Sequence, residues 1–361
     1  MKIIYSGIRA ENYNPNKKFG FEYGDFYLTL KNMRGVEVIE HPFDLILEVG
    51  RKKFNEKLLS LIRDEKPDLF FAFMYTDELD KNVLDKIKEL TASLAWFADD
   101  SWRFYNYSRF WAKHFSWVVT TYSWMPEFYR RAGQKNVIRS QWGVDPKTYR
   151  PVKPGGLKEA RPTERYQSFG RVPEVSFVGS FNGPRGKIIS ALEKAGIDVK
   201  TYGSGWPSGR VGREEMTELF SLSKINLGLN PAPGYFNKNS LGRLLFRKSL
   251  NKIIPDFHLW SNLQSWFHRG VPQIKARHFQ IPACGGFLMT SMADDLGSYY
   301  KIGEEIVVYK DTKDLISKIN YYLANDDERR RIARAGYERT TREHTYERRF
   351  KELFDKVGLN I

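Results

Sequence analysis

Cysteine is almost missing from this chain of 361 residues. Cys284 stands alone, which excludes an internal disulfide framework and a cysteine-built zinc site. Long apolar runs are missing too. The longest apolar-dominated stretch, Asp68 to Tyr75, falls far short of the roughly 18 residues that a membrane-spanning helix needs, so no transmembrane segment is expected. The opening Met1–Gly7 lacks the apolar region of a signal peptide and reads as a first β-strand. Six histidines show no metal-ligand spacing and no Asp-x-Asp pair occurs, so no bound metal is expected. With 41% hydrophobic and 28% charged residues, disorder is excluded as well. The expectation is a soluble, cytoplasmic protein, long enough for two domains.

What the chain has in excess is positive charge and aromatic rings. The formal net charge is +15, and 25 Phe, 20 Tyr and 9 Trp make up 15% of the residues. Such a surface suits nucleic acid, anionic lipid headgroups, phosphorylated substrates or sugars, and composition does not choose among them.

Along the chain, strand-like and helix-like segments alternate. Lys2–Tyr5, Val36–Ile39, Asp68–Met74, Leu94–Phe97 and Trp117–Thr121 read as strands, with helical periodicity at Phe26–Met33, Leu58–Arg63 and Val83–Leu90. The run Asp68–Met74 scarcely alternates, as expected of a parallel sheet covered on both faces. The pattern stops near Pro151, and residues 153–173 read as a Pro- and Gly-rich linker. Alternation then resumes with strands at Val175–Val178, Val199–Tyr202, Ile225–Leu229, Gly286–Thr290 and Glu305–Tyr309, and helices at Lys187–Ala195, Glu214–Ser223 and Lys313–Leu323. The predicted architecture is α/β, with two doubly wound, Rossmann-like halves facing a central cleft. Their bounds are 1–152 and 174–335, with 336–361 as a C-terminal helix returning to the first half. The charged tail Asp326–Phe354 reads as an exposed, salt-bridged helix.

Four segments could carry chemistry. In Val178–Gly186, glycines at 179, 183 and 186 sit between a strand and a helix, where exposed N–H groups favour a phosphate, and Arg185 and Lys187 add charge. A glycine-rich turn with a solvated arginine is the competing reading. In Arg277–Gly286, a short helix stopped by paired glycines presents Arg277 and Gln280 on one face; a packed helix–strand junction with a buried Cys284 and a satisfied His278 competes with it. In Leu94–Arg103, Asp99 and Asp100 follow a strand, where open α/β sheets bind ligands; a helix cap and a pair with Arg103 compete for one of them. Around them, Trp96–Tyr129 holds 14 aromatic residues in 34. Finally, residues 231–280 carry eight cations against one acid, Asp256, and include the basic amphipathic Leu241–Leu250. That segment reads as a surface for anionic membrane or acceptor, against the commoner solvated face.

Together these pieces resemble a two-domain GT-B glycosyltransferase of the spore-maturation, CgeB-like group. The resemblance rests most on Arg277–Thr290, followed by Gly303–Tyr309, Tyr321–Ala324, Arg331–Gly336 and His344–Arg349. Val175–Phe181, Tyr202–Trp206, Trp96–Arg103 and the hinge-like Gly143–Pro151 add to it. The resemblance implies a sugar transfer of the hexosyltransferase type, with no cofactor besides a nucleotide-sugar co-substrate (UDP-, GDP- or dTDP-linked). It places the donor diphosphate near Gly179, Arg185, Lys187, Arg277 and the Gly285–Gly286 turn, and the ribose at Gln280. The acceptor, a glycan, lipid-linked molecule, protein or DNA, would enter past Lys18, Gly20 and Tyr23 and past Trp102 and Arg103, with Asp99 and Asp100 as the catalytic carboxylates. It also implies a metal-independent reaction with retained configuration, for a protein in the cytoplasm or peripheral at the inner membrane face. Where the family often has two glutamates eight apart, this chain has Pro272 and Gln280. Two other readings compete: a nucleic-acid-binding protein on a degenerate GT-B scaffold, and a sugar-nucleotide epimerase.

Overall fold

The computed structural model describes residues 1–14, 20–152, 173–231 and 238–359. In chain order its strands are β1 (Lys2–Ser6), β2 (Glu37–Glu40), β3 (Leu69–Met74), β4 (Ala92–Phe97), β5 (Trp117–Thr120), β6 (Val137–Arg139), β7 (Val175–Val178), β8 (Val199–Tyr202), β9 (Ile225–Gly228), β10 (Phe246–Ser249), β11 (Lys252–Pro255), β12 (Leu288–Ser291) and β13 (Val307–Tyr309). They belong to two compact units.

The first unit comprises Met1–Gln141, Tyr235–Arg269 and Tyr346–Ile361. Its sheet runs β2-β1-β3-β4-β5-β6, all parallel. Every residue of β3 is buried, as its unalternating sequence requires of a strand covered on both faces. Local chemistry sets the helix ends. The helix Arg51–Glu65 stops at Lys66 in the left-handed region, just ahead of Pro67, and Asp80 caps Lys81–Leu90 by accepting from the Asn82 N–H. One face of the sheet is filled by rings: Phe26 lies 4.7 Å from Phe73, 4.9 Å from Trp96 and 5.4 Å from Phe350.

The second unit comprises Trp142–Gly234 and Gly270–Thr345. Its sheet runs β13-β12-β9-β7-β8, again all parallel. Two apolar layers cover it, one around Phe177, Leu227 and Met289, the other around Val178, Phe279 and Leu288. Read from the β8 or β2 end, both sheets begin with the order second, first, third strand. Chain direction across each sheet therefore reverses between β1 and β3 and between β7 and β9, and open α/β sheets bind ligands at the carboxyl ends of such points.

The units depart from the boundaries expected from sequence. Residues 142–152 belong to the second unit, because Trp142 Nε1 donates to Ile274 O at 3.0 Å and Val144 N to His344 O at 3.0 Å. The segment 235–269 belongs to the first unit, as a helix (Lys238–Leu245), the antiparallel hairpin β10–β11 and a second helix (Leu259–His268). Nor is the tail one exposed helix. It breaks at His344 into Asp326–Glu343, in the second unit, and Tyr346–Val357, in the first, whose Tyr346, Phe350 and Phe354 are buried. The expected linker lies almost wholly outside the described residues, from 153 to 172.

Candidate functional site

In the second unit two arginines, Arg185 and Arg277, meet at the β7/β9 reversal. The helix Gly183–Lys194 follows β7, and Asn182 caps it by accepting from the Arg185 N–H at 2.9 Å. That turn sends the Arg185 side chain back over the sheet edge. Its Nε donates to Leu229 O at 3.0 Å and its Nη1 to Ser180 O at 2.7 Å, so one guanidinium spans the carboxyl ends of β9 and β7. Arg277 reaches the same place from the helix Arg277–Ala283, its Nε donating to Val178 O at 3.1 Å. Burial, and next the nearby Arg277 charge, hold the Arg185 pKa below its usual value. Two like charges held together on backbone carbonyls form a ready anion site.

Gln280, on the same helix as Arg277, is buried between two partners. Its Oε1 accepts from Arg277 Nη1 at 2.5 Å and its Nε2 donates to Tyr149 Oη at 2.9 Å. The amide expected at the donor ribose is thus joined to Arg277 and Tyr149 and orients the guanidinium. Sequence reasoning missed Tyr149, though it lies in the hinge-like Gly143–Pro151.

The glycines divide. Gly179 donates to Tyr202 O at 2.8 Å and accepts from Trp206 Nε1 at 2.8 Å, and a Cβ on Gly203 would lie 2.3 Å from its carbonyl oxygen, so close backbone approach explains this pair. The expected phosphate cradle at Gly285–Gly286 is corrected by its hydrogen bonds. Gly285 N donates to Pro282 O at 2.8 Å and Gly286 N to Ile281 O at 3.1 Å, closing the carboxyl end of a helix, where the dipole repels anions. Lys187 is exposed on the helix Gly183–Lys194. His278 and Cys284 are packing residues. The ring bonds Lys275 and Thr290 Oγ1, and burial lowers its pKa to about 4 and pushes the thiol up to about 12. Nearby, a cavity of about 500 Å³ opens at the carboxyl ends of β9, β12 and β13, lined by Asn230, Pro272, Ser291, Tyr309 and Lys310.

The first unit has its own cavity, of about 950 Å³, at the carboxyl ends of β3 and β4. Asp99, Trp102 and Arg103 line it, with Tyr75 and Asp77 after β3 and Arg243, Arg247 and Lys248 from the 238–269 segment. Asp99 adopts the left-handed conformation (φ 58°), the turn that starts the short helix Asp100–Arg103. Arg103 donates to Tyr75 O and covers the Tyr107 ring at 4.1 Å. The turn beneath is fixed by buried Glu78, which accepts from Tyr13 Oη at 2.6 Å and Thr76 N at 2.7 Å.

Asp100 does not join Asp99. It is fully buried, accepts from Tyr129 Oη at 3.0 Å, and burial raises its pKa from 3.8 to about 7, with the Asp99 charge a minor contributor. It is therefore a structural carboxyl. Gly20 and Tyr23 also miss the cavity lining: Gly20 N donates to Arg9 O at 2.8 Å, and Tyr23 packs on Tyr27 at 5.0 Å. Lys18 lies outside the described residues. The basic stretch 231–280 is divided, with 238–269 in the first unit and Lys275 and Arg277 in the second. Among the described residues, no group of three or more His, Cys, Asp or Glu is placed to hold a metal, and no helix is long and apolar enough to cross a membrane.

Residues 185–355 match the family described as "Glycosyl transferase-like". No curated protein matches the chain. Solved structures do. The chain is similar to the sucrose-phosphate synthase of Thermosynechococcus elongatus, with 13% identity, 99% of each chain covered and a TM-score of 0.63. It is similar to Anabaena HepE in complex with UDP, with 12% identity, 99% of this chain and 100% of that one covered, and a TM-score of 0.59. A glycosyltransferase from Rickettsia africae gives 11% identity, coverage of 99% and 98%, and a TM-score of 0.58. These likenesses define the fold as GT-B, an α/β architecture with two Rossmann-like units.

Proposed function

We propose that this protein is a glycosyltransferase that takes a sugar from a nucleotide-activated donor, bound by the second unit. The observation that carries the reading is the Arg185–Arg277 pair at the β7/β9 reversal, inside the segment that matches the glycosyl transferase-like family. The diphosphate sits against the two guanidinium groups, whose positive charge offsets the charge of the leaving group without a metal ion. The nucleoside extends toward Tyr309 and Asn230 in the neighbouring cavity. HepE was solved with UDP and with UDP-glucose, which makes uridine the first base to try.

The acceptor binds the first unit. Its hydroxyl oxygen bonds to the anomeric carbon on the face from which the diphosphate departs. The electron pair leaves with the diphosphate, the hydroxyl proton follows it, and configuration is retained. Asp99, one of three carboxylates that line the cavity of the first unit, accepts from an acceptor hydroxyl bound there.

Thermal unfolding against UDP, GDP, dTDP, ADP and CMP tests the donor. A nucleotide at about 100 times its dissociation constant adds roughly 2.7 kcal/mol, enough to move the midpoint visibly. One diphosphate is expected to stabilise the protein, in EDTA as well as without it. No shift with any nucleotide would overturn the reading.

A further inference from the structure

The cavity of the first unit is roofed by a segment that the chain supplies from its second half. Arg243, Arg247 and Lys248 come from that segment, and Lys81 and Arg103 from the unit's own helices. Seven Lys and Arg side chains line the cavity against three acids, Asp77, Asp99 and Asp256, and Asp99 faces Arg243. Asp77 is shared between Arg51 at 3.1 Å and Arg247 at 3.0 Å, and Asp256 takes His258 Nδ1 at 2.7 Å. The cations lie over rings, Arg243 at 5.2 Å from the Trp102 centroid and Lys81 at 5.1 Å from Trp111. Such a chamber favours a compact anion attached to something flat or apolar.

The outside of the same segment is apolar. Ile253 is 78% exposed, Phe257 88% and Trp260 70%, with Leu259 and Phe267 exposed beside them. Single exposed apolar residues are ordinary, but five within 15 residues, next to a cationic chamber that Ile253 itself lines, form one amphipathic surface. Nucleic acid would complement the charges and leave the aliphatic groups in water. A membrane lipid complements both, its phosphate taken by the cations and its chains continuous with the apolar rim.

We propose that the cavity holds the phosphate headgroup of a membrane lipid, with Phe257 and Trp260 seated in the lipid interface. The lipid, through a hydroxyl of its headgroup, is the sugar acceptor, and only that last clause rests on the glycosyltransferase reading.

Flotation of the full chain with vesicles tests the site. Phosphatidylcholine vesicles containing phosphatidic acid should carry the protein up, and phosphatidylcholine alone should not. A basic residue near an anionic surface is worth ~1 kcal/mol, so Arg243→Ala and Lys81→Ala should each weaken binding about fivefold. Phe257→Ser and Trp260→Ser, at exposed positions, should release the protein from vesicles and keep its nucleotide-induced thermal shift. Three results would overturn the proposal: equal binding to both vesicles, vesicle binding that both serine variants retain, or displacement by a short oligonucleotide better than by short-chain phosphatidic acid. Loss of the nucleotide shift in the wild type, with vesicle binding intact, would overturn the donor reading and leave the lipid site standing.

Discussion

Arg277 and Gln280, one helical turn apart, are joined side chain to side chain at 2.5 Å, with the Gln280 amide held in turn by Tyr149. The pairing gives residue 280 an indirect role, fixing where a guanidinium points. Gln280→Glu separates this from a ribose contact. A carboxylate there would pair with Arg277 and cancel charge facing the diphosphate, so UDP affinity and its salt dependence should both fall. Tighter UDP binding by isothermal titration would show instead that residue 280 meets the ribose.

Removing the guanidinium itself should act more strongly. Hydrogen bonds to charged groups contribute about 1.5–3 kcal/mol, so Arg277→Ala or Arg185→Ala should weaken UDP binding roughly 10- to 100-fold. Because each arginine raises the cost of holding the other, the unliganded midpoint should move little. Unchanged affinity in both variants would remove the diphosphate from the β7/β9 reversal.

Gly286 is required by packing. A Cβ there would stand 2.3 Å from Phe220 O and 2.9 Å from Asn226 Nδ2. Backbone cannot yield as a flexible side chain does, so Gly286→Ala should destabilise the protein by about 1–3 kcal/mol or more. Denaturant titration reads that loss, while the folded protein should keep its UDP affinity. A folded variant of normal stability that no longer binds UDP would return the glycine to the phosphate.

Much of this was legible in the sequence. The buried run of β3 and the Gly-rich turn after β7 announced the two sheets, because strand burial and helix starts are local properties. Arg185 and Arg277, which the structure brings to one sheet edge, were visible as basic residues at helix starts. The path of the chain was not legible. Residues 235–269 read as part of the second domain, since nothing local distinguishes a segment that packs on a distant sheet. Its eight-to-one basic neighbourhood was visible, but which of those charges share a cavity with Asp99 depends on tertiary contacts alone. Asp99 and Asp100 show the same limit at the scale of one peptide bond. A left-handed residue at 99 turns one carboxyl into the cavity and leaves its neighbour buried against Tyr129.

That burial makes Asp100 a source of pH-dependent stability. Its pKa is about 7 in the folded protein against an ordinary value of 3.8, so between those values the native state holds a proton that the unfolded chain has lost. A raised carboxyl pKa means that stability rises as pH falls from about 7 toward about 4, and that the cost of the buried charge is fully present above pH 7. An asparagine side chain at this position would be neutral throughout and could still accept from Tyr129. The Asp100→Asn variant should therefore gain stability relative to the wild type as pH rises through this window, by up to about 1.4 kcal/mol per pH unit. Urea unfolding of both proteins at several pH values measures the difference directly. A constant difference across the window would mean that Asp100 titrates in the fold as it does in the unfolded chain, and that burial does not hold it protonated.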